Sequence, residues 1–192
     1  KHEEQNRWMK TTVVIPNYNG KHFLQDCLDS LLQSTVEIAV IVVDNGSTDG
    51  SVSWIQEHFP QVKLICFSEN KGFCTAVNTG IEAAATPYVF LLNNDTKTDR
   101  FCLERLERAM EADEKIFSVG AKMLSMKEPE LVDTAGDLYS AFGWAYAIGK
   151  GRLSSNYTAP KRVFSNCAGA ALYRKAHLEP VSYTHLRAHE TV

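Results

Sequence analysis

The segment Tyr88-Val89-Phe90-Leu91-Leu92-Asn93-Asn94-Asp95-Thr96 sets an apolar run directly against two amides and a carboxylate. A run of that length fits a strand buried on both faces, with the polar cluster at its carboxyl end. Open α/β sheets bind their ligands at such ends. A strand-end acid costs stability unless it is paired, hydrogen-bonded or metal-bound. Asp95 is therefore the sharpest candidate for holding a hard cation, and a hard cation can hold a diphosphate. The plainer role, capping the next helix, can be filled by Thr98 or Asp99.

Two other strand ends send polar residues to the same edge. Asn17-Tyr18-Asn19 follows Thr12–Pro16, and Asp44-Asn45-Gly46-Ser47-Thr48-Asp49 follows the β-branched run Val40–Val43. Asp44 can accept from a base N–H or a ribose hydroxyl; equally, it can be a turn acid or a helix cap. Asn45-Gly46 is a turn by itself. Asn70-Lys71-Gly72 stands where a loop meets a helix start, and free N–H groups, the helix dipole and a lysine there suit an anion. An exposed turn lysine is the bland alternative. Asn78, a turn further on, either reaches the same crevice or is a surface amide. The first loop has neither G-x-G-x-x-G nor the Walker pattern, which counts against a dinucleotide enzyme or an NTPase. His22, His58 and His177 are scattered, with no Ser/His/Asp grouping. Tyr139, Phe142, Trp144 and Tyr146 are expected to pack in the core or a loop, with a wall for sugar stacking as the alternative.

The elements that must position these residues alternate. Strands are expected at Thr12–Pro16, Glu37–Val43, Val62–Phe67, Tyr88–Leu92 and Ile116–Leu124. Between them lie helices over Lys21–Ser34, around Val52–Phe59, over Phe73–Ala85 and around Phe101–Met110, each with apolar residues at helical spacing. Ser47, Thr48 or Asp49 is expected to cap the second helix. This order implies an α/β domain with a largely parallel sheet and right-handed crossovers. After Met126 the periodicity weakens. Asp133–Gly151 reads as irregular strands and loops, and order returns around Ala168–Leu172.

The 192 residues suffice for one domain, and a net charge of −3 gives no basic field for nucleic acid. Lys161-Arg162 and Arg174-Lys175 read first as solvated surface and second as phosphate or anionic-membrane contacts. The five cysteines form no C-x-x-C pair; Cys27, Cys66 and Cys102 sit among apolar residues and are expected to be buried thiols of a cytosolic protein. Residues 1–8 read as a leader foreign to the domain, with Met9 a plausible start. Residues 181–192 read as an artefactual tail, since Val181–Leu186 is similar to one reading frame of a transposon adaptor.

Four ordered motifs carry a family resemblance. Thr12–Gly20, Val42–Gly50, Asn70–Phe73 with Asn78–Ile81, and Leu91–Asp95 resemble the signatures of family 2 glycosyltransferases of the GT-A fold. Leu91–Asp95 matches the D-x-D-type element with Asn93 in place of the first Asp, a form frequent in the rhamnosyltransferase-like branch. Gly169–Arg174 resembles that branch's acceptor-side segment. The resemblance implies a three-layer α/β/α sheet domain over residues 9–180, with a nucleotide part (9–125) and the start of an acceptor part (126–180), incomplete at the C-terminus. Pro16, Tyr18, Asn19, Asp44, Asn45, Ser47, Asn70, Lys71, Gly72, Asn78, Asn93, Asn94 and Asp95 would line a nucleotide-diphospho-sugar donor. Asp95 would bind Mg²⁺ or Mn²⁺ on the diphosphate. The acceptor would be a glycan or a lipid-linked glycan, transfer would invert the anomeric centre, and the enzyme would work in the cytoplasm or at the inner face of the plasma membrane. The family's base, an Asp in a Glu-Asp pair, has no counterpart after Arg174, so it is expected beyond Pro180 and the chain alone is expected to be inactive. A non-catalytic nucleotide-sugar-binding fragment is one alternative. A sugar nucleotidylyltransferase is another, although those carry a Gly-rich basic loop that Asn17–Gly20 is not.

Overall fold

A computed structural model describes residues 9–178; the leader and tail fall outside them. Four parallel strands form the centre: β1 (Thr11–Asn17), β2 (Ile38–Asp44), β3 (Lys63–Cys66) and β4 (Tyr88–Leu92). The helices between them are α1 (Lys21–Leu32), α2 (Ser51–His58) and α3 (Phe73–Ala83), and α4 (Cys102–Glu111) follows β4. Next come β5 (Ser118–Gly120), β6 (Met123–Leu124), β7 (Val132–Thr134), β8 (Asp137–Tyr139), β9 (Ala145–Ala147) and β10 (Ala170–Arg174), then the short α5 (Lys175–Leu178). The main sheet has the order β3-β2-β1-β4-β10-β5, in which β10 runs antiparallel to both of its neighbours.

Alternation along the strands explains the continuous apolar runs. Val13, Ile15, Val40, Val42, Phe90 and Leu92 face Leu24, Leu28 and Leu31 of α1, Ile55 of α2, and Leu103, Leu106 and Met110 of α4. Val14, Ile41, Val43, Val89 and Leu91 point the other way, toward Ala76, Val77 and Ile81 of α3. Both faces of the sheet are covered, so neither set of side chains can be polar. The chain thus forms helix, sheet and helix layers. α3 lies unusually close to β1: a Cβ on Gly80 would sit 2.2 Å from Val14 Cγ1, so only glycine fits.

Several expectations need correction. The fifth strand is not one strand over Ile116–Leu124. β5 joins the main sheet and β6 pairs with β7 in a separate two-stranded piece, because the direction changes at Ala121-Lys122. Cys66 is exposed at the end of the edge strand β3, where only one side has a neighbour; Cys27 is buried and Cys102 partly so. Burial pushes the Cys27 thiol up to about 12 and the Cys102 thiol up to about 11, so neither ionises near neutral pH. Arg174 and Lys175 are not solvated surface. Arg174 Nη2 donates to Met110 O at the end of α4 (3.1 Å), and Lys175 Nζ donates to Ala84 O just past α3 (2.6 Å). Both cations thereby meet helix C-terminal carbonyls.

Tyr139, Phe142, Trp144 and Tyr146 do not pack in a core. They stand exposed on the hairpin of β8 and β9, whose three-residue strands are too short to reach a second layer. No helix among the described residues is long and apolar enough to cross a membrane.

Candidate functional site

The strand order places a topological switch point between β1 and β4: the chain runs outward from β1 to β3, then returns to the other side. A crevice opens at the carboxyl ends of the two strands that flank such a point. The register fixes what meets there. Asn17 pairs with Asp44 across β1–β2, and the β1–β4 ladder ends at Val14↔Leu91, two residues before Pro16. Continuing that register sets Asn17 level with Asn94.

Asn17 is the centre of the edge. Its Nδ2 donates to Asp44 Oδ2 (2.9 Å) and to Ser47 Oγ (3.3 Å), and its Oδ1 accepts from Asn94 Nδ2 (2.8 Å). Asn17 is 1% exposed, as is Asp44. Asp44 Oδ1 accepts the Ser47 N–H at 2.9 Å, so both carboxylate oxygens are engaged inside the protein. A direct bond from Asp44 to a base or ribose has to use the lone pairs these contacts leave. The sequence places Asn17 at this edge but gives it no part in lining the donor, because an asparagine at a strand end reads as a turn residue. The signal was its place at the end of the Val13, Ile15, Asn17 face, which turns it inward.

The second turn is locked to the first and to the third. Asn19 N–H donates to Ser47 Oγ (2.9 Å), while Asn19 Oδ1 accepts from Thr48 N–H (2.8 Å). Asn19 adopts φ +50°, a left-handed conformation that asparagine tolerates. Asn45 Nδ2 donates to Asn70 Oδ1 (2.9 Å), Asn45 Oδ1 accepts from Lys71 N–H (2.8 Å), and Gly72 N–H donates to Asn70 Oδ1 (2.9 Å). Gly46, at φ +79°, lets this happen: a Cβ there would lie 2.6 Å from the Glu69 carbonyl carbon. Lys71 is exposed and its Nζ lies 5.0 Å from the centre of the Phe67 ring.

The N-cap position of α2 is Gly50, and of the three expected capping residues only Asp49, just ahead of it, bonds to the helix's first turn. Asp49 Oδ1 accepts from both the N–H and the hydroxyl of Ser51, and its Oδ2 accepts the Lys21 N–H at the start of α1 (2.9 Å). Burial pushes the Asp49 carboxyl up, but these hydrogen bonds outweigh it and hold the group below its ordinary value. Ser47 and Thr48 face the first turn instead. Asp99 accepts the Phe101 N–H (3.0 Å) before α4, and Thr98 bonds to Ser30. An open groove between the starts of α1 and α2 is lined by Asn19, Lys21, His22, Gln25, Asp49 and Trp54; it touches the candidate set only at Asn19.

At the end of β4 the backbone is held from both sides. Asn93 N–H donates to Gly169 O (3.0 Å), and Asn93 O accepts from Thr96 Oγ1 (2.7 Å). Asn94 packs on Gly20, where a Cβ would fall 2.1 Å from Asn94 Nδ2. Asp95 is the exception. It is exposed, and its carboxylate accepts no hydrogen bond among the described residues. Tyr18, in the turn after β1, is 51% exposed, Pro16 is half-buried, and Asn78 is half-buried on α3.

No cluster of three or more His, Cys, Asp or Glu capable of holding a metal occurs among the described residues. Protein groups among the described residues therefore do not by themselves cage a cation. One free carboxylate does fit the mode in which Mg²⁺ is held by one or two acids together with substrate phosphates and water.

The sequence of this chain is 34% identical over 100 residues to the glycosyltransferase GlyA of Streptococcus pneumoniae, a match covering 50% of this chain and 14% of that protein. It is 28% identical over 130 residues to the teichoic acid poly(glycerol phosphate) polymerase of Staphylococcus epidermidis, covering 65% and 18%. The fold matches residues 1–349 of S. aureus TarS with a TM-score of 0.64 at 18% identity, covering 90% of this chain and 49% of TarS. It also matches the mannosyltransferase PcManGT of Pyrobaculum calidifontis, solved with GDP-Man and Mn²⁺, with a TM-score of 0.63 at 18% identity, covering 90% and 46%. The chain thus spans about half of these solved structures and far less of the two curated relatives. The three-layer, mainly parallel sheet is that of the GT-A glycosyltransferases. The family model for glycosyl transferase family 2 matches residues 12–181, and the chain belongs to that family.

Proposed function

We propose that this chain forms the donor-binding part of an enzyme that moves a sugar from a nucleoside diphosphate to a glycan or lipid-linked acceptor, with inversion, in cell-surface polysaccharide synthesis. The observation that carries the reading is the edge at the switch point. Asp44, Asn17 and Asn94 form one hydrogen-bonded row, which ends beside the exposed carboxylate of Asp95. The relatives' names support glycosyl transfer, and TarS has been solved with UDP-GlcNAc.

In this reading Tyr18 and Asn19 lie along the nucleotide, with Pro16 shaping the turn beneath them. Asp44, braced by Asn17 and Ser47, faces the base or ribose. Asn45 and Asn70 hold the turn that brings Lys71 and the Gly72 N-terminal end of α3 toward the phosphates, with Asn78 behind them. Asn93, Asn94 and Asp95 meet the diphosphate. A Mg²⁺ or Mn²⁺ ion held between Asp95 and the diphosphate would neutralise the charge that grows on the departing group. The transfer further needs a base to deprotonate the acceptor hydroxyl. With no Glu-Asp pair after Arg174, we assign that base beyond residue 180: the chain grips its donor without completing transfer. The Asn93-Asn94-Asp95 form favours a rhamnosyltransferase-like specificity, and the site of action in this reading is the cytoplasm or the inner face of the plasma membrane.

Calorimetry with UDP-, dTDP- and GDP-sugars, each with and without Mn²⁺, tests the reading. One nucleotide class binds, Mn²⁺ tightens it, and Asp95→Asn removes the Mn²⁺ effect. Binding that is indifferent to Mn²⁺ would dismiss the role given to Asp95; binding of none of the three would dismiss the donor site.

A further inference from the structure

The ribbon of β8, β9 and the adjoining Phe164-Ser165 stretch carries its large apolar side chains outward. Leu138 and Tyr146 face each other across the pair and are 52% and 57% exposed; at the turn, Phe142 is 90% and Trp144 67% exposed. On the other side Tyr139 meets Phe164 with ring centroids 5.3 Å apart, both largely exposed. The turn is built rather than loose: Ser140 N–H donates to Trp144 O (2.8 Å), Gly143 N–H to Ser140 O (3.0 Å), and Trp144 N–H to Ser140 Oγ (3.1 Å). Single exposed apolar residues are ordinary, but Phe142 and Trp144 together at the tip of one hydrogen-bonded ribbon, with Leu138 and Tyr146 on one face and Tyr139 and Phe164 on the other, call for a partner.

Charge says which partner. From Leu138 to Leu178 the sequence contains no Asp or Glu and six basic residues: Lys150, Arg152, Lys161, Arg162, Arg174 and Lys175. The chain's totals are 20 basic and 23 acidic residues, so all 23 acids lie elsewhere, with only 14 bases. Lys150 pairs with Asp133 (3.3 Å), and Arg174 and Lys175 bond to backbone carbonyls. Arg152, Lys161 and Arg162 make no ion pair among the described residues. Lys161-Arg162 lies just before Phe164, and Arg152 lies shortly after β9.

We propose that this ribbon docks the protein on an anionic lipid surface. Phe142 and Trp144 enter the boundary between headgroups and acyl chains, where aromatic rings settle best, and Arg152, Lys161 and Arg162 meet headgroup phosphates. A protein partner would be met by a mixed rim, whereas this ribbon offers aromatics flanked by three exposed bases, and its one acid, Asp137 at the start of β8, accepts from Ser165 Oγ (3.5 Å). The inference does not require the sugar-transfer reading, since the ribbon shares no residue with the donor edge.

The test is partitioning of the 192-residue chain onto phosphatidylglycerol-rich vesicles and onto pure phosphatidylcholine vesicles, read by sedimentation and by the emission of Trp144, isolated by comparison with Trp144→Phe. Binding to the anionic vesicles with a blue shift at Trp144 is expected, and little binding to the neutral ones. Phe142→Ser with Trp144→Ser weakens binding by about tenfold or more. Lys161→Glu with Arg162→Glu weakens it by roughly 30-fold or more. Both variants change exposed side chains, and circular dichroism confirms that each is folded. Equal binding to both lipids, no binding to either, or binding that survives both double substitutions overturns the proposal. Self-association lost in the tip variant, without vesicle binding, assigns the ribbon to a second copy of the chain instead.

Discussion

The carboxyl edge of β2, β1 and β4 and the ribbon of β8 and β9 are built on opposite terms. At the edge, polar side chains are buried and find one another: Asn17 and Asp44 are each 1% exposed, and Asn45 is 4% exposed. On the ribbon, aromatic side chains are exposed and find almost nothing, with Phe142 at 90%. A buried polar group is costly unless its bonds are made, so the edge admits few arrangements. An exposed aromatic places no such demand on its neighbours. The edge is therefore a template that holds its shape before a ligand arrives, and the ribbon is a surface whose energy is realised only on contact.

Substitutions should separate the two. The largest effect is expected from Asp44→Ala, which strands the Asn17 amide and the Ser47 N–H in a closed site; a loss of about 3 kcal/mol in urea unfolding is expected. A loss below about 1 kcal/mol would mean that the row is not a rigid template. Gly46→Ala comes next. A left-handed φ and a collision with the Glu69 backbone should cost about 2 kcal/mol and release Lys71 from Asn45, seen as weaker donor binding in calorimetry.

A smaller effect is expected from pH. The Asp49 carboxyl lies below its ordinary value, so its contribution is complete above the unfolded value and fades as pH falls toward the folded one. Asp49→Asn should flatten the loss of stability on acidification in that range. Glu107 behaves oppositely. Burial raises its carboxyl, against the Thr11 hydroxyl bond (2.6 Å) and Lys10, so stability falls as pH rises from the unfolded value through the folded one. Glu107→Gln should remove that fall, as measured by denaturant titrations from acid to neutral pH. The smallest effect is expected from Phe142→Ser with Trp144→Ser, which should leave unfolding within about 0.5 kcal/mol of the parent. A larger loss would show the ribbon to be part of the fold after all.

The same contrast governs what was legible in the sequence. Val40–Val43 and Tyr88–Leu92 could be read as strands because helices cover both faces and force every residue to be apolar. Helices α1, α3 and α4 could be read from their spacing. The loops at Asn17–Asn19, Asp44–Asp49, Asn70–Gly72 and Asn93–Asp95 could be read as one edge, since parallel strands carry their carboxyl ends to the same side. The partners within that edge could not. Nothing local says that Asn17 joins Asp44 to Asn94, because those bonds depend on register between strands far apart in the chain. The strands β6 to β9 are two or three residues long, too short to show a period. The antiparallel insertion of β10 likewise pairs Ala170–Arg174 with strands more than fifty residues earlier.

That insertion bears on the order in which the chain can fold. β4 pairs with β1 on one side, and its other side has no partner until Ala170–Arg174 has been synthesised. During the interval a nascent chain displays an open strand edge, the kind that recruits foreign strands. β5 waits longer still, because it reaches the sheet only through β10. The Asn93 N–H that anchors the start of the Asp95 turn is satisfied by Gly169 at the same moment. Ribosome-bound chains halted before residue 169 should thus hold β1 to β3 in place while the Asp95 turn is still unfastened, and chains released past residue 174 should close both together.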